Sequence, residues 1–327
     1  MCTAITTSGL FGRTLDLEYS FNEKVVITKR SFPLDFRYGV SLSAHFAIIG
    51  MATVEGGYPL YYDAMNEKGL CMAALNFPVS ARYFAAAEGK INIASFEFIP
   101  FILGQCESMR EAWELISKIN LCNDSFSESL PPSPLHWALA DGENMLVIES
   151  TADGLHIYKD APCVLTNEPP LPYQLARLSE YAYLSATEPP QSYFERLGAV
   201  RQSRGLGLFG LPGDFSSPSR FVRAAILLEN SDFRERDFNQ FFRVLSSVEV
   251  PIGCVRLEGG ERVITHYTSC MDTKSGIYYY KTHENSRISA VDINAENLTG
   301  ASLATFSLNA SPDIFTHNFS LADRAKM

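Results

Sequence analysis

Met1-Cys2-Thr3-Ala4-Ile5-Thr6-Thr7-Ser8-Gly9-Leu10-Phe11-Gly12-Arg13-Thr14-Leu15-Asp16 opens the chain, and its reading decides the fold. Removal of Met1 would leave Cys2 with a thiol and a free α-amine on one carbon skeleton, and cysteine is small enough for initiator removal. An α-amine titrates near ~7.7–8.0, against ~10.4 for a lysine side chain. It is therefore available as a general base near neutral pH without deep burial. A nucleophile served by its own terminal amine is an established route to covalent catalysis. The ordinary alternative is a chance Met-Cys start with a structural, inert thiol. Arg13 and Asp16, three apart on an apolar background, favour the chemical reading. Residues 2–7 read as a β-branched strand, Ser8-Gly9 as its turn and Leu10–Leu15 as the returning strand. Such a hairpin brings Cys2, Arg13 and Asp16 together.

Further strands are expected at 24–29, 44–54 and 70–75, with a polar, turn-like stretch at 63–69. Phe96–Leu103 is apolar enough for a buried helix. Ser108 with Glu111 three residues on is a capping-box signature. Behind it Met109, Ala112, Trp113, Ile116 and Ile119 recur at helical spacing. Residues 124–134, rich in Ser and Pro, read as a loop. Strands at 135–140, 145–150 and 155–158 are separated by Asp141-Gly142 and Asp153-Gly154, both hairpin signals. A short strand at 164–166 ends at Asn167. Helical patterns return at 173–184, 218–229 and 236–247, with Ser217-Pro218 as N-cap and first-turn pair. Late strands are expected at 262–270, 276–282 and 287–293. Strands and helices come in blocks rather than in βαβ alternation, which excludes a doubly wound parallel sheet. Two mostly antiparallel sheets covered by helices on both outer faces fit better, as one domain over 1–327.

The 327 residues are 46% hydrophobic with a net charge of −10. That acidity argues against nucleic acid, whose phosphates require a basic footprint, and against an anionic membrane surface. No run of about 18 apolar residues spans a bilayer, and no basic-then-apolar N-terminal segment reads as a secretory signal. The cysteines (Cys2, Cys71, Cys106, Cys122, Cys163, Cys254 and Cys270) are odd in number and lack CxxC spacing. They do not form a disulfide framework, so a reducing compartment, the cytoplasm, is expected.

Gly205-Leu206-Gly207-Leu208-Phe209-Gly210 matches GxGxxG, but a dinucleotide fingerprint needs a preceding strand and a helix opening within it; Pro212-Gly213 follows instead. His45, His136, His156, His266, His283 and His317 are scattered, without HExxH, and read as core or surface histidines; no metal site is expected. No GxSxG elbow is present. A catalytic Cys2 would therefore need a base other than histidine. Asn76 and Asn167 each end a strand. Both suit a turn, and both suit an oxyanion hole, which needs neutral donors held rigidly at the rim of a sheet. Arg220, just inside a helix, reads either as a solvated first-turn charge or as the fixed cation that lowers a thiol pKa.

These blocks carry a resemblance. Met1-Cys2-Thr3, Phe11-Gly12-Arg13-Thr14-Leu15-Asp16, Asn66-Glu67-Lys68-Gly69-Leu70, Leu75-Asn76-Phe77-Pro78 and Leu165-Thr166-Asn167 resemble the choloylglycine hydrolases. So do Gly210-Leu211-Pro212-Gly213-Asp214-Phe215, Ser219-Arg220-Phe221, Tyr267-Thr268-Ser269-Cys270 and Gly276-Ile277-Tyr278-Tyr279-Tyr280. The match runs in order over nearly the whole chain. The family comprises bile salt hydrolases and penicillin V acylases, N-terminal-nucleophile enzymes of αββα sandwich fold, an α+β class, commonly tetrameric. The resemblance implies Cys2 as nucleophile once Met1 is removed, its amine as base, and Arg13 and Asp16 as the neighbours that orient the terminus. Asn167 would donate to the oxyanion from its side chain, Asn76 from its backbone, and Arg220 would complete the polar site.

Asn76 points to the bile salt branch, since penicillin V acylases often carry Tyr there. So does the apolar wall from 121 to 137, with Phe126, Leu130 and Leu135; Leu15 and Leu17 join the expected substrate pocket. Thr14 stands where Asn is frequent, and Glu168 puts an acid beside the site. The implied activity is hydrolysis of glycine- or taurine-conjugated bile acids in the cytoplasm, by a homotetramer, with no cofactor. Thioester exchange with another amine would add acyl transfer. The rival readings are a penicillin V acylase, a bile-acid or lipid binder without catalysis, and a redox sensor at Cys2.

Overall fold

Two residues are enough to reverse the chain after its first strand. Ser8 and Gly9 take φ of 53° and 80°, the left-handed pair of a tight hairpin that matches the twist of the strands it joins. In the computed structural model, which describes residues 1–159, 161–200 and 202–315, this hairpin is the centre of a sheet. His317 and the C-terminal end of the expected domain lie outside the described residues.

The strands up to the first helix are β1 (Cys2–Thr7), β2 (Leu10–Leu17), β3 (Lys24–Thr28), β4 (Leu34–Asp35) and β5 (Ser41–Leu42). They continue with β6 (Ile48–Glu55), β7 (Tyr58–Asn66), β8 (Cys71–Asn76) and β9 (Ile91–Ala94). Helices α1 (Phe98–Leu103) and α2 (Met109–Ile116) precede β10 (Ile119–Cys122), β11 (Leu135–Ala140), β12 (Met145–Thr151), β13 (Gly154–Tyr158) and β14 (Val164–Leu165). Then come α3 (Leu171–Ser179), α4 (Gln191–Arg196), α5 (Ser217–Glu229) and α6 (Phe238–Ser246). The last strands are β15 (Val255–Arg256), β16 (Arg262–Asp272), β17 (Ile277–Thr282), β18 (Ser289–Asp292) and β19 (Leu303–Ser307).

One sheet runs β14-β1-β2-β16-β17-β18, with β15 on β16; the other runs β13-β12-β11-β8-β7-β6-β3-β19. The pairings within both are antiparallel; β9 and β10 form a separate parallel pair. Alternation along the second sheet separates its faces. Val25, Ile27, Ile49, Met51, Cys71, Ala73, Leu75, Ala138 and Val147 join Cys2, Ala4 and Leu15 in one core, which continues beneath Phe221, Ala224, Phe241 and Leu245 of α5 and α6. Val26, Ile48, Ala64, Met72, Trp137, Leu139 and Ile148 pack instead against Phe98, Phe101, Ile102 and Ile116 of α1 and α2. The layers are therefore helix, sheet, sheet, helix, as the resemblance implied. Gly12 lets β2 lie close on β16: a Cβ there would stand 2.1 Å from the Ser269 carbonyl oxygen.

Several boundaries differ from those read in the sequence. Residues 63–66 are not a turn but the end of β7, because Asp63 is buried against two tyrosine hydroxyls rather than turned to solvent. Ile119 lies in β10, not in the capped helix, which stops at Ile116. Ser108 caps that helix as expected, accepting from the Glu111 amide. The N-cap of α5 is Ser216; Ser217 is its first residue, its hydroxyl engaged elsewhere. The strand expected from 44 begins at Ile48. The short strands β9, β10 and β19 and helix α4 carry too few periodic residues to be read.

Candidate active site

The β1–β2 register sets Cys2 opposite Leu15 and Ala4 opposite Arg13, so Cys2, Arg13, Leu15 and Leu17 share the face turned to the other sheet. Thr3, Thr14 and Asp16 point the opposite way, towards α5. Cys2 is 2% exposed. Its backbone nitrogen donates to Asn167 Oδ1 at 2.8 Å. Met1 continues the pairing by one residue: the Asp16 amide donates to the Met1 carbonyl at 3.0 Å, and the Met1 amino group donates to the Asp16 carbonyl.

Arg220, expected as a possible solvated charge, is fully buried. Proline in the first turn suits the start of α5, and that turn delivers the guanidinium to the hairpin. Nη1 donates to the Cys2 carbonyl and to Thr3 Oγ1 (2.7 Å), Nη2 to Asn167 Oδ1 (2.7 Å), and Nε to the Phe215 carbonyl (3.0 Å). Asp16 Oδ2 lies 3.9 Å from Arg220 Nη1. Its carboxylate accepts from Thr265 (2.6 Å) and from Thr14 (3.0 Å), so threonine at 14 does useful work as a donor. Burial pushes the Asp16 carboxyl above its ordinary value, against the pull of Arg220 and the N-terminus. For Arg220 burial also dominates and lowers the guanidinium, opposed by Asp16 and Cys2.

Arg13 is fully buried on the inter-sheet face. Its Nη1 donates to the carbonyls of Ala74 (2.7 Å) and Tyr62 (3.3 Å), and Nε to that of Thr14 (3.1 Å). Among the described residues, Nη2 has no hydrogen-bond partner. Burial opposes its charge, but the electrostatic pull of its neighbours Cys2, Tyr267, Asp63 and Asp16 together holds it above the ordinary arginine value. Behind it Asp63 accepts from Tyr267 (2.5 Å) and Tyr278 (2.6 Å). Burial raises the Asp63 carboxyl, opposed by Arg13 and both phenols.

The two asparagines meet. Asn167 Nδ2 donates to the Asn76 carbonyl at 2.8 Å, leaving its second amide hydrogen uncommitted to that bond. Asn76 faces Leu135 across β8–β11 while the next amide, Phe77, bonds the Pro134 carbonyl at 2.8 Å. Asn76 therefore occupies a non-hydrogen-bonded position, and its N–H and C=O both turn away from β11, to the side where Asn167 lies. Ser217 Oγ accepts from the Asn167 amide (2.9 Å), and Gln174 Nε2 donates to its carbonyl (3.2 Å). Glu168 is not free beside this group: its carboxylate accepts from the Val79 and Ser80 amides and the Ser80 hydroxyl at 2.8–2.9 Å.

Of the expected pocket, Leu15 stands opposite Cys2 and Leu135 opposite Asn76; Leu17 pairs with Ile264. Phe126 packs edge-on against Phe96 (5.2 Å between centroids), and its amide donates to the Leu130 carbonyl at 3.0 Å. These contacts tie Phe126 to Phe96 and to Leu130. Asp63, His136, Gln174 and Ser217 were not singled out as site residues. Asp63 could have been found as an acid inside an apolar, aromatic run, and His136 as the inward position of an alternating strand.

Cys2 thus has a nitrogen and a sulfur on one residue, two buried guanidiniums and a pair of amide donors around it. A family model described as linear amide C–N hydrolases, choloylglycine hydrolase family, matches residues 2–306. The chain belongs to the choloylglycine hydrolase family. The bile salt hydrolase/transferase of Lactiplantibacillus plantarum is 46% identical to it over 97% of this chain and 100% of its own length. That of Clostridium perfringens is 36% identical over 96% and 99%. A crystal structure of the C2A mutant of the conjugated bile acid hydrolase from Clostridium perfringens superimposes with a TM-score of 0.90 at 35% identity, covering 97% of this chain and 100% of that one. Penicillin V acylase from Agrobacterium tumefaciens shares the fold, with a TM-score of 0.73 at 18% identity over 95% and 92%. The four layers are the αββα sandwich of N-terminal-nucleophile hydrolases. Among the described residues, no helix is long and apolar enough to cross a membrane, and no cluster of three or more His, Cys, Asp or Glu is placed to hold a metal.

Proposed function

We propose that this choloylglycine hydrolase family member cleaves the amide bond of glycine- and taurine-conjugated bile acids, with Cys2 as nucleophile after Met1 is removed. The observation that carries this is the Cys2 nitrogen, 2.8 Å from Asn167 Oδ1 on the residue that also bears the thiol. Freed as an amine, that nitrogen is oriented by Asn167 and takes the thiol proton. The thiolate attacks the amide carbonyl; a C–S bond forms and the negative charge moves to oxygen. Asn167 Nδ2 and the Asn76 backbone N–H donate to that oxyanion, where each such donor is worth roughly 10²–10³ in rate. As the C–N bond breaks, the α-ammonium gives its proton to the departing glycine or taurine nitrogen. Water, deprotonated by the same amine, then cleaves the thioester and regenerates the thiol. Arg13 and Arg220 are the cations beside Cys2 while its thiolate exists, and Asp16 balances Arg220.

The whole chain, 1–327, acts as one domain. The sterol body is held by apolar burial, at roughly 25 cal/mol per Å², against Leu15, Leu17, Phe126, Leu130 and Leu135. Because the small polar leaving group contributes less, glycine and taurine conjugates are both accepted. Seven free cysteines suit the cytoplasm. Exposed Tyr173, Tyr183, Leu197 and Phe209 suit self-association as a homotetramer, which light scattering tests: a particle of one chain's mass contradicts it.

Rates on glycocholate, taurocholate and penicillin V test the substrate class. The expected outcome is rapid release of glycine and taurine, with penicillin V at least tenfold slower and Cys2→Ser inactive on all three. A preference for penicillin V, or a few per cent of parental turnover in Cys2→Ser, contradicts it.

A further inference from the structure

The proposed oxyanion site is assembled from two sheets. Asn76 ends β8 in one, and Asn167 follows β14 at the edge of the other. Its geometry therefore depends on what fixes one sheet edge against the other.

Besides the Asn167–Asn76 hydrogen bond and the Glu168 contacts with Val79 and Ser80, a fully buried side chain makes that connection. His136 lies in β11 opposite Leu75, on the inter-sheet face, and is fully buried. Its Nε2 reaches the Thr166 carbonyl at 2.9 Å, one residue before Asn167. Its ring lies parallel to Phe77, one residue after Asn76, with centroids 4.2 Å apart and planes at 9°. The other nitrogen, Nδ1, stands 3.3 Å from Glu149 Oε1. Glu149, also fully buried, accepts the Leu171 amide that opens α3.

A carbonyl only accepts, so Nε2 carries the hydrogen of its bond to Thr166. Nδ1 faces the Glu149 carboxylate, so the ring is held at two points. Neither of these contacts involves Cys2.

We infer that His136, held by Glu149, is a positioning residue that spaces the two oxyanion donors by gripping the chain beside each of them. The inference rests on the assignment of Asn167 and Asn76 as those donors. A misplacement of about 1 Å at a reacting centre is enough to cost roughly 10²-fold.

Steady-state hydrolysis of glycocholate by His136→Phe, His136→Gln, His136→Asn and Asn167→Ala tests it, together with iodoacetamide alkylation of Cys2 followed at the N-terminal peptide. Alkylation displaces iodide at a saturated carbon and develops no oxyanion, so it reports the thiol alone. His136→Phe keeps ring volume and loses both hydrogen bonds; kcat is expected to fall about 10- to 100-fold, with KM within about threefold. Glutamine sets an amide nitrogen near the Nε2 position and should recover kcat to within about fivefold of the parent; asparagine, too short, should not. Cys2 alkylation should stay within about twofold in all three. A parental kcat in His136→Phe or His136→Asn, equal damage from glutamine and asparagine, or parallel loss of kcat and alkylation overturns the inference. If Asn167→Ala also keeps the parental kcat, the oxyanion assignment itself has failed; if it is impaired while the His136 variants are not, only the role of His136 has.

Discussion

At the scale of single residues, the site is a set of buried charges whose partners are each other. Arg220 touches Cys2, Thr3 and Asn167 and faces Asp16. A buried charge stripped of its partner costs about 3–5 kcal/mol, so these side chains depend on one another for stability as well as for chemistry. Cys2, Arg13 and Asp16 were legible because they lie within fifteen residues on one hairpin, and a two-residue turn fixes their register. Asn76 and Asn167 were legible as strand ends but not as neighbours, since nothing local brings β8 to β14. Arg220 was legible as a cation and illegible as a buried one: the sequence of α5 does not say which face meets β1. Asp63 was misread for the opposite reason. Polarity usually marks a turn, and here two tyrosines from β16 and β17, two hundred residues away in the chain, satisfy the acid instead.

At the scale of elements, the placement of Arg220 depends on how α5 begins. Asp214 accepts from the Ser216 amide (2.9 Å) and the Ser219 hydroxyl (2.6 Å) just before and inside its first turn. Those donors lower the Asp214 pKa from 3.8 to about 2. A carboxyl lowered in the folded state contributes stability above its unfolded pKa and loses it as pH falls through the folded one. Asp214→Asn should therefore have a lower Tm than the parent at pH 6, with the gap closing between about pH 4 and pH 2. Tm measured across that range checks it; a gap that is constant with pH contradicts the role of the ionised carboxylate. The hairpins signalled by Asp141-Gly142 and Asp153-Gly154 were readable because turn chemistry is local, although Gly154 itself opens β13 opposite Thr151. The parallel pair β9–β10 and the edge strand β19 were not, since four or five residues carry too little periodicity to distinguish strand from loop.

At the scale of the whole molecule, four layers follow from block order and from alternation that buries both faces of the eight-stranded sheet, one on β1 and β2, the other on α1 and α2. The order of blocks was sufficient to exclude a parallel doubly wound sheet. It was not sufficient to give the strand order, which depends on pairings between strands far apart in the chain. What the arrangement accomplishes is to set Asn167, just after the edge strand of one sheet, beside Asn76 at a strand end of the other. The account therefore stands or falls on residue two. The most direct test is the intact mass of a preparation actively hydrolysing glycocholate, taken before and after titration with iodoacetamide. The account predicts a chain lacking Met1, and activity that falls in proportion to a single label on Cys2. An active chain that still carries Met1, or full activity with Cys2 alkylated, would contradict it.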